Sequence, residues 1–192
     1  LDIQWISNTR PEAIKTPEYA RTLYRSGCRV LSMGAESGDP ETLRRMGKKL
    51  DQRNLRRSVR ILREARIQSF VFFMFGYPGE TMKSLHRTRD LALSLDPDYA
   101  NFYPVAPYPG TPLWHTCAAQ GLIDPNNMDW SRVDFTDYVL RQPGLSRTQV
   151  MRFVRRARRD FYLRPTYIAR TLKRIGSPRS AWQILKSVPA YF

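Results

Sequence analysis

Apolar positions along the chain follow two periods, and each switch between them marks an element. Strand-like runs at residues 1–7 ("LDIQWIS") and 28–34 ("CRVLSMG") give way to segments whose apolar residues recur every three to four positions. Between these runs, Thr16 as N-cap, Pro17 at the first helical position and Gly27 as a stop predict a helix over "TPEYARTLYRSG". Asp39 and Pro40 predict a second start of the same kind. Asp51 opens a longer helix, with Leu55, Val59, Leu62 and Ala65 on one face and arginines between them. Phe70 to Phe75 is an unbroken apolar run, as expected of a strand covered on both faces. A helix over "TMKSLHRTRDLALSL" and a fourth strand over "DYANFYPVA" follow. Such βαβα alternation predicts a parallel sheet with helices outside it.

After "PYPGTPLW" the pattern changes. Residues 124–137 read as an ordered loop anchored by Trp130 and Phe135. Ser146 and Gln149 form a capping box ahead of a basic helix, in which Val150, Phe153, Val154, Ala157 and Phe161 make an apolar stripe. Pro165 breaks that helix, and Thr166–Ile175 and Ser177–Lys186 are expected as two more.

With 192 residues, 42% hydrophobic and 26% charged, the chain suits one good core and a globular rather than a disordered state. No apolar run is long enough to span a bilayer. Cys28 and Cys117 are the only cysteines, which excludes a disulfide framework or a Cys-rich metal site; no metal ligands are read from the chain. His86 and His115 are isolated, and both are expected as surface or satisfied histidines. A reducing cytoplasm is the expected location. The net charge of +15, concentrated toward the C-terminus, favours an anionic partner without naming it. Leu1, not Met, opens directly on a strand, so the chain is expected to be cut from something longer or to come from an incomplete reading frame.

Chemistry is expected at the carboxyl ends of the strands, where loops and helix N-termini converge. The first strand ends in Ser7, Asn8, Thr9 and Arg10, the second in "MGAESGD", the third in "FGYPGET", and the fourth leads into "PYPGTP". Glycines there let backbone approach a ligand, and a neighbouring carboxylate can accept hydrogen bonds. "GYPGET" is no phosphate loop, because no GK[ST] follows it. Each feature alone is also consistent with an ordinary turn or a paired surface acid; their recurrence at successive strand ends points to a shared ligand.

"GAESGDPETLRRMGK", "FVFFMFGYPGET" and "PYPGTPLW" together resemble the radical S-adenosylmethionine enzymes, and in particular the subgroup carrying an N-terminal cobalamin-binding domain. "FYLRPTYIARTLKRI" is similar to C-terminal tails in that subgroup. The resemblance implies an α/β fold, the C-terminal half of a partial (β/α) TIM-like barrel, followed by a small α-helical extension. Residues 1–122 would be the half barrel, 123–145 a linking loop and 146–192 the basic extension.

It further implies S-adenosylmethionine and a 4Fe-4S cluster as cofactors, with cobalamin associated. The cluster's CxxxCxxC loop is not in this chain, so the chain alone is expected to be inactive. The implied reaction is cleavage of S-adenosylmethionine to a 5'-deoxyadenosyl radical, for methylation, cyclisation or rearrangement of a small-molecule or lipid-like substrate, with an external electron donor. Glu36 matches a position contacting the ribose or methionyl part of S-adenosylmethionine, with Ser37 beside it. Gly76, Tyr77, Pro78, Gly79 and Glu80 match the strand end that packs around the adenine, Gly76 admitting its edge. Arg10 is a candidate for the cofactor carboxylate, and Tyr108 and Gly110 lie on the substrate side. No residue of the chain is assigned as general base or nucleophile.

The arginine-rich stretch from Arg152 to Arg174 keeps three readings: a solvated helix face, contact with an anionic membrane surface at its cytoplasmic side, or nucleic acid, the last without any recognisable binding module. The rival reading of the whole chain is a non-catalytic basic α/β binding module.

Overall fold

A computed structural model describes residues 3–133 and 136–174. Four strands, β1 (Trp5–Asn8), β2 (Cys28–Glu36), β3 (Gln68–Phe75) and β4 (Tyr99–Pro104), form one sheet in the order β1-β2-β3-β4, with every pair parallel. Parallel neighbours need crossover connections. Helices α1 (Pro17–Arg25), α2 (Pro40–Arg45), α3 (Gln52–Glu64) and α4 (Met82–Leu95) supply them. Each starts where a side-chain oxygen can accept an orphan amide: Thr16, Asp39, Asp51 and Thr81 take the N–H groups of Tyr19, Thr42, Arg53 and Ser84.

Side chains alternate across the sheet. Leu31, Met33, Ala35, Val71, Phe73, Phe75, Ala100 and Phe102 are buried in the core. On the opposite face Val30, Ser32, Gly34, Phe70, Phe72 and Met74 are only half-buried, and Tyr99 and Asn101 are exposed. This corrects the expectation that β3 is covered on both faces. The unbroken run of apolar residues hides a true alternation, because both faces of this strand carry aromatic side chains.

Among the described residues three helices follow β4: α5 (Pro112–Ala119), α6 (Arg147–Tyr162) and α7 (Pro165–Arg174). The first is a short helix that the apolar pattern does not announce, although Thr111 caps it and Pro112 begins it. The stripe on α6 is buried as expected, with Phe153 against Phe75 (5.6 Å between ring centroids) and Phe161 against Phe102 (5.6 Å). His86 stands edge-on to Phe153. The same helix closes the outer edge of β4. The Tyr162 hydroxyl donates to the Ala100 carbonyl (2.6 Å) and accepts the Ala100 amide (3.1 Å), while Arg158 donates to the Phe102 carbonyl (3.1 Å).

Part of the arginine-rich stretch is therefore structural. Arg164 donates to the Leu93 carbonyl and to Asp96, and Arg170 pairs with the same Asp96 carboxylate. Arg152, Arg155, Arg156 and Arg159 are exposed. Leu122, Ile123, Tyr138, Leu140 and Leu145 belong to the same core as the sheet, so the segment between α5 and α6 packs as part of one body. Phe135, Ile175 and the helix expected over Ser177–Lys186 lie outside the described residues. Among the described residues no helix is long and apolar enough to cross a membrane.

Candidate functional site

The carboxyl end of β3 turns through Gly76 and Gly79, both left-handed, at φ 86° and 77°. Only glycine adopts such angles without strain. Glu80 folds back beneath the turn: one carboxylate oxygen accepts the amides of Gly76 (2.7 Å) and Tyr77 (3.0 Å). Its other oxygen accepts from the Thr42 hydroxyl at 3.4 Å. The carboxyl is 2% exposed, and burial pushes its pKa up to about 7, against the pull of those two amides. From the other side come Tyr138 and Gln142. The Tyr138 hydroxyl donates to the Gly76 carbonyl (2.9 Å), and the Gln142 amide donates to that same carbonyl (3.2 Å) while its oxygen accepts the Gly79 amide (2.9 Å).

Glu80 thus lies underneath the turn, its carboxyl directed at the chain's own amides. The space beside Gly76 is taken by the Tyr138 ring, which a side chain at that position would overlap, so its missing Cβ accommodates a protein aromatic.

At the end of β2 the register slips between Gly34 and Glu36, and Glu36 takes φ 57°, a strained value for a residue with a side chain. This bulge stands the carboxylate on the open face, with its side chain 13% exposed. Lys48 Nζ lies 3.1 Å from Oε1 and the Tyr103 hydroxyl 3.5 Å from Oε2. Burial, followed by the Glu36 charge, raises the Tyr103 phenol above its usual pKa. Phe72 meets Tyr103 edge-on at 6.5 Å, and Met74 pairs with Tyr103 across the strands, so both adjoin this group on the open face.

Ser37 is turned the other way. It is fully buried, bonded to Thr88 (3.0 Å) and to the Asp39 amide (3.1 Å), and braces the loop from inside. Arg10 is exposed at the end of β1, just before a single 3-10 turn at Pro11–Ala13. Tyr108 donates to the Val133 carbonyl, and Gly110 turns at φ 78° with open space beside it. Four residues were missed from sequence: Lys48, Tyr103, Tyr138 and Gln142. Tyr103 could have been found, since alternation along β4 puts it on one face with Asn101. No local pattern marks the other three. Cys28 and Cys117 are both buried, on β2 and α5, and among the described residues no group of His, Cys, Asp or Glu gathers as a metal site.

Residues 3–92 match the model of the radical SAM superfamily. An uncharacterized methyltransferase of Pyrococcus horikoshii is 29% identical over 90% of this chain and 37% of its own. Bacteriochlorophyllide d C-12(1)-methyltransferase of Chlorobaculum tepidum is 26% identical over 84% of this chain and 35% of its own. Among solved structures, the radical S-adenosylmethionine methyltransferase TsrM of Kitasatospora setae, with cobalamin and a [4Fe-4S] cluster bound, superposes with a TM-score of 0.55. The match is 27% identical and covers 62% of this chain and 22% of TsrM. Residues 3–92 thus belong to the radical SAM superfamily, and the chain stands close to its cobalamin-associated members. It spans about a third of the length of the curated relatives it matches.

Proposed function

We propose that this segment forms the later half of the S-adenosylmethionine site in a cobalamin-associated radical enzyme that modifies a small molecule, by methylation or ring closure at carbon. The observation that carries the reading is Glu36, a carboxylate presented on the open sheet face by a strained residue in a β-bulge. Strain of this kind persists where function requires the geometry. The residues fit the cofactor: Glu36 accepts from ribose hydroxyls or the methionyl ammonium, and Tyr103 and Lys48 orient it. The 76–79 turn supplies a rigid rim for the adenine, with Tyr77, Pro78 and the half-buried Met74 as the apolar surface nearby. Glu80 holds this rim from behind, Ser37 braces the loop that follows Glu36, and Arg10 remains the candidate for the cofactor carboxylate. When bound, S-adenosylmethionine with a reduced cluster and cobalamin supplies one-electron and methyl-transfer chemistry. Cys28 and Cys117 do not fit a three-cysteine cluster site, so in this reading those ligands lie outside these 192 residues.

The test is equilibrium dialysis of labelled S-adenosylmethionine against the whole protein carrying this segment, reconstituted anaerobically with iron and sulfide. Glu36→Gln is expected to raise the dissociation constant about tenfold, the size of losing a hydrogen bond to a charged group. An unchanged constant overturns the role of Glu36.

A further inference from the structure

We propose that Tyr138 and Gln142 are positioning residues for the cofactor, so that the segment between α5 and α6 sets the affinity of a site it does not itself touch. This rests on the reading above, in which the 76–79 turn is the adenine rim. The turn contains two left-handed glycines, and glycine leaves the chain many other conformations. Something must hold it in one of them. Its amides are all engaged from the protein side: Gly76 and Tyr77 by Glu80, Gly79 by Gln142, and Glu80 itself by the Tyr77 carbonyl.

Gln142 is the bridge. With one amide group it donates to the carbonyl at the start of the turn and accepts from the N–H near its end. It also holds the Tyr138 hydroxyl at 2.5 Å, which in turn bonds the Gly76 carbonyl. Tyr138 is 1% exposed, and its ring occupies the space a Cβ at Gly76 would need. These residues lie 62 and 66 positions from Gly76, so their only route to it is the tertiary fold. A rim held in its bound shape before the ligand arrives avoids the ordering cost on binding. Removing the bridge should therefore weaken binding by folded protein, beyond any loss of stability.

Gln142→Leu and Tyr138→Phe, each in the reconstituted whole protein, test this by two readouts well below the melting temperature. One is S-adenosylmethionine affinity by dialysis; the other is amide hydrogen exchange over residues 76–79. Gln142→Leu is expected to raise the dissociation constant roughly fivefold to tenfold, as losing one or two net hydrogen bonds implies, and to speed exchange at Gly79. Tyr138→Phe keeps the ring and shifts affinity in the same direction by less. If Gln142→Leu does not fold, Tyr138→Phe carries the test. Wild-type affinity in both folded variants, beside a weakened Glu36→Gln, overturns this proposal alone. No binding by the wild type overturns it together with the function on which it rests.

Discussion

Glu80 is a carboxylic acid whose ionisation the fold opposes. It sits 2% exposed beneath the turn, and its pKa rises from 4.5 to about 7. Between those values the folded chain holds a proton that the unfolded chain has released. The contribution to stability is therefore full below pH 4.5, declines as pH rises, and is gone above about 7. Glu80→Gln keeps an oxygen for the Gly76 and Tyr77 amides and has no charge to bury. The expected outcome is that the wild-type denaturation midpoint falls between pH 5 and 8 while the variant's decline is flatter, read by urea unfolding across that range; equal slopes would exclude burial of Glu80 as their cause. At this scale the turn was legible in "GYPGE", because glycine and proline mark turns locally. The direction of the acid was not: in the fold it turns back onto the Gly76 and Tyr77 amides and meets Thr42 of α2.

At the scale of elements, the outer edge of β4 is finished by side chains rather than by another strand. Exposed strand edges recruit other strands, and Tyr162 and Arg158 occupy two edge carbonyls and one edge amide of β4, while Tyr167 donates to the Asp98 carbonyl just before the strand. Tyr162→Phe removes both bonds to Ala100 and keeps the ring. It should cost about 1–2 kcal/mol, two ordinary net hydrogen bonds, and make the Ala100 amide exchange faster. Full retention of stability and of protection at Ala100 would refute the capping role. The starts of α1, α2, α3, α4 and α6 were legible, since an N-cap acts within four residues of the amide it accepts. The stripe on α6 was legible for the same reason. By contrast α5 was hidden, because "PLWHTCAA" is short and carries His, Thr and Trp, which lend a helix little intrinsic support. The reading of β3 as covered on both faces failed because aromatic residues on a half-open face and on a closed one look alike in sequence.

For the molecule as a whole, much of the positive charge is tied into the fold. Asp96 alone gathers Arg63, Arg164 and Arg170, and Asp137 gathers Arg132 and Arg147. Burial of Asp137 works against its ionisation, yet bonds from Arg147 and Arg132 win and hold its pKa below the usual range. The catalytic competence of these 192 residues is a separate matter. With two buried cysteines on different elements they cannot offer three thiolates to a cluster, so the chain alone, supplied with iron, sulfide and reductant, is expected to yield no 5'-deoxyadenosine from S-adenosylmethionine. Detecting that product by chromatography would overturn this expectation. By itself the sequence determined the parallel α/β order, the helix starts other than that of α5, the buried stripe of α6 and the strand ends at which the proposed site gathers. All of these follow from hydrogen bonds and periodicities that span a few residues. The tertiary structure alone decided that Ser37 and Glu80 face inward, that Lys48 and Tyr103 join Glu36, and that Tyr138 and Gln142 hold the Gly76 turn. Those contacts join residues from 12 to 67 positions apart, and only packing of the sheet against its helices brings them within bonding distance.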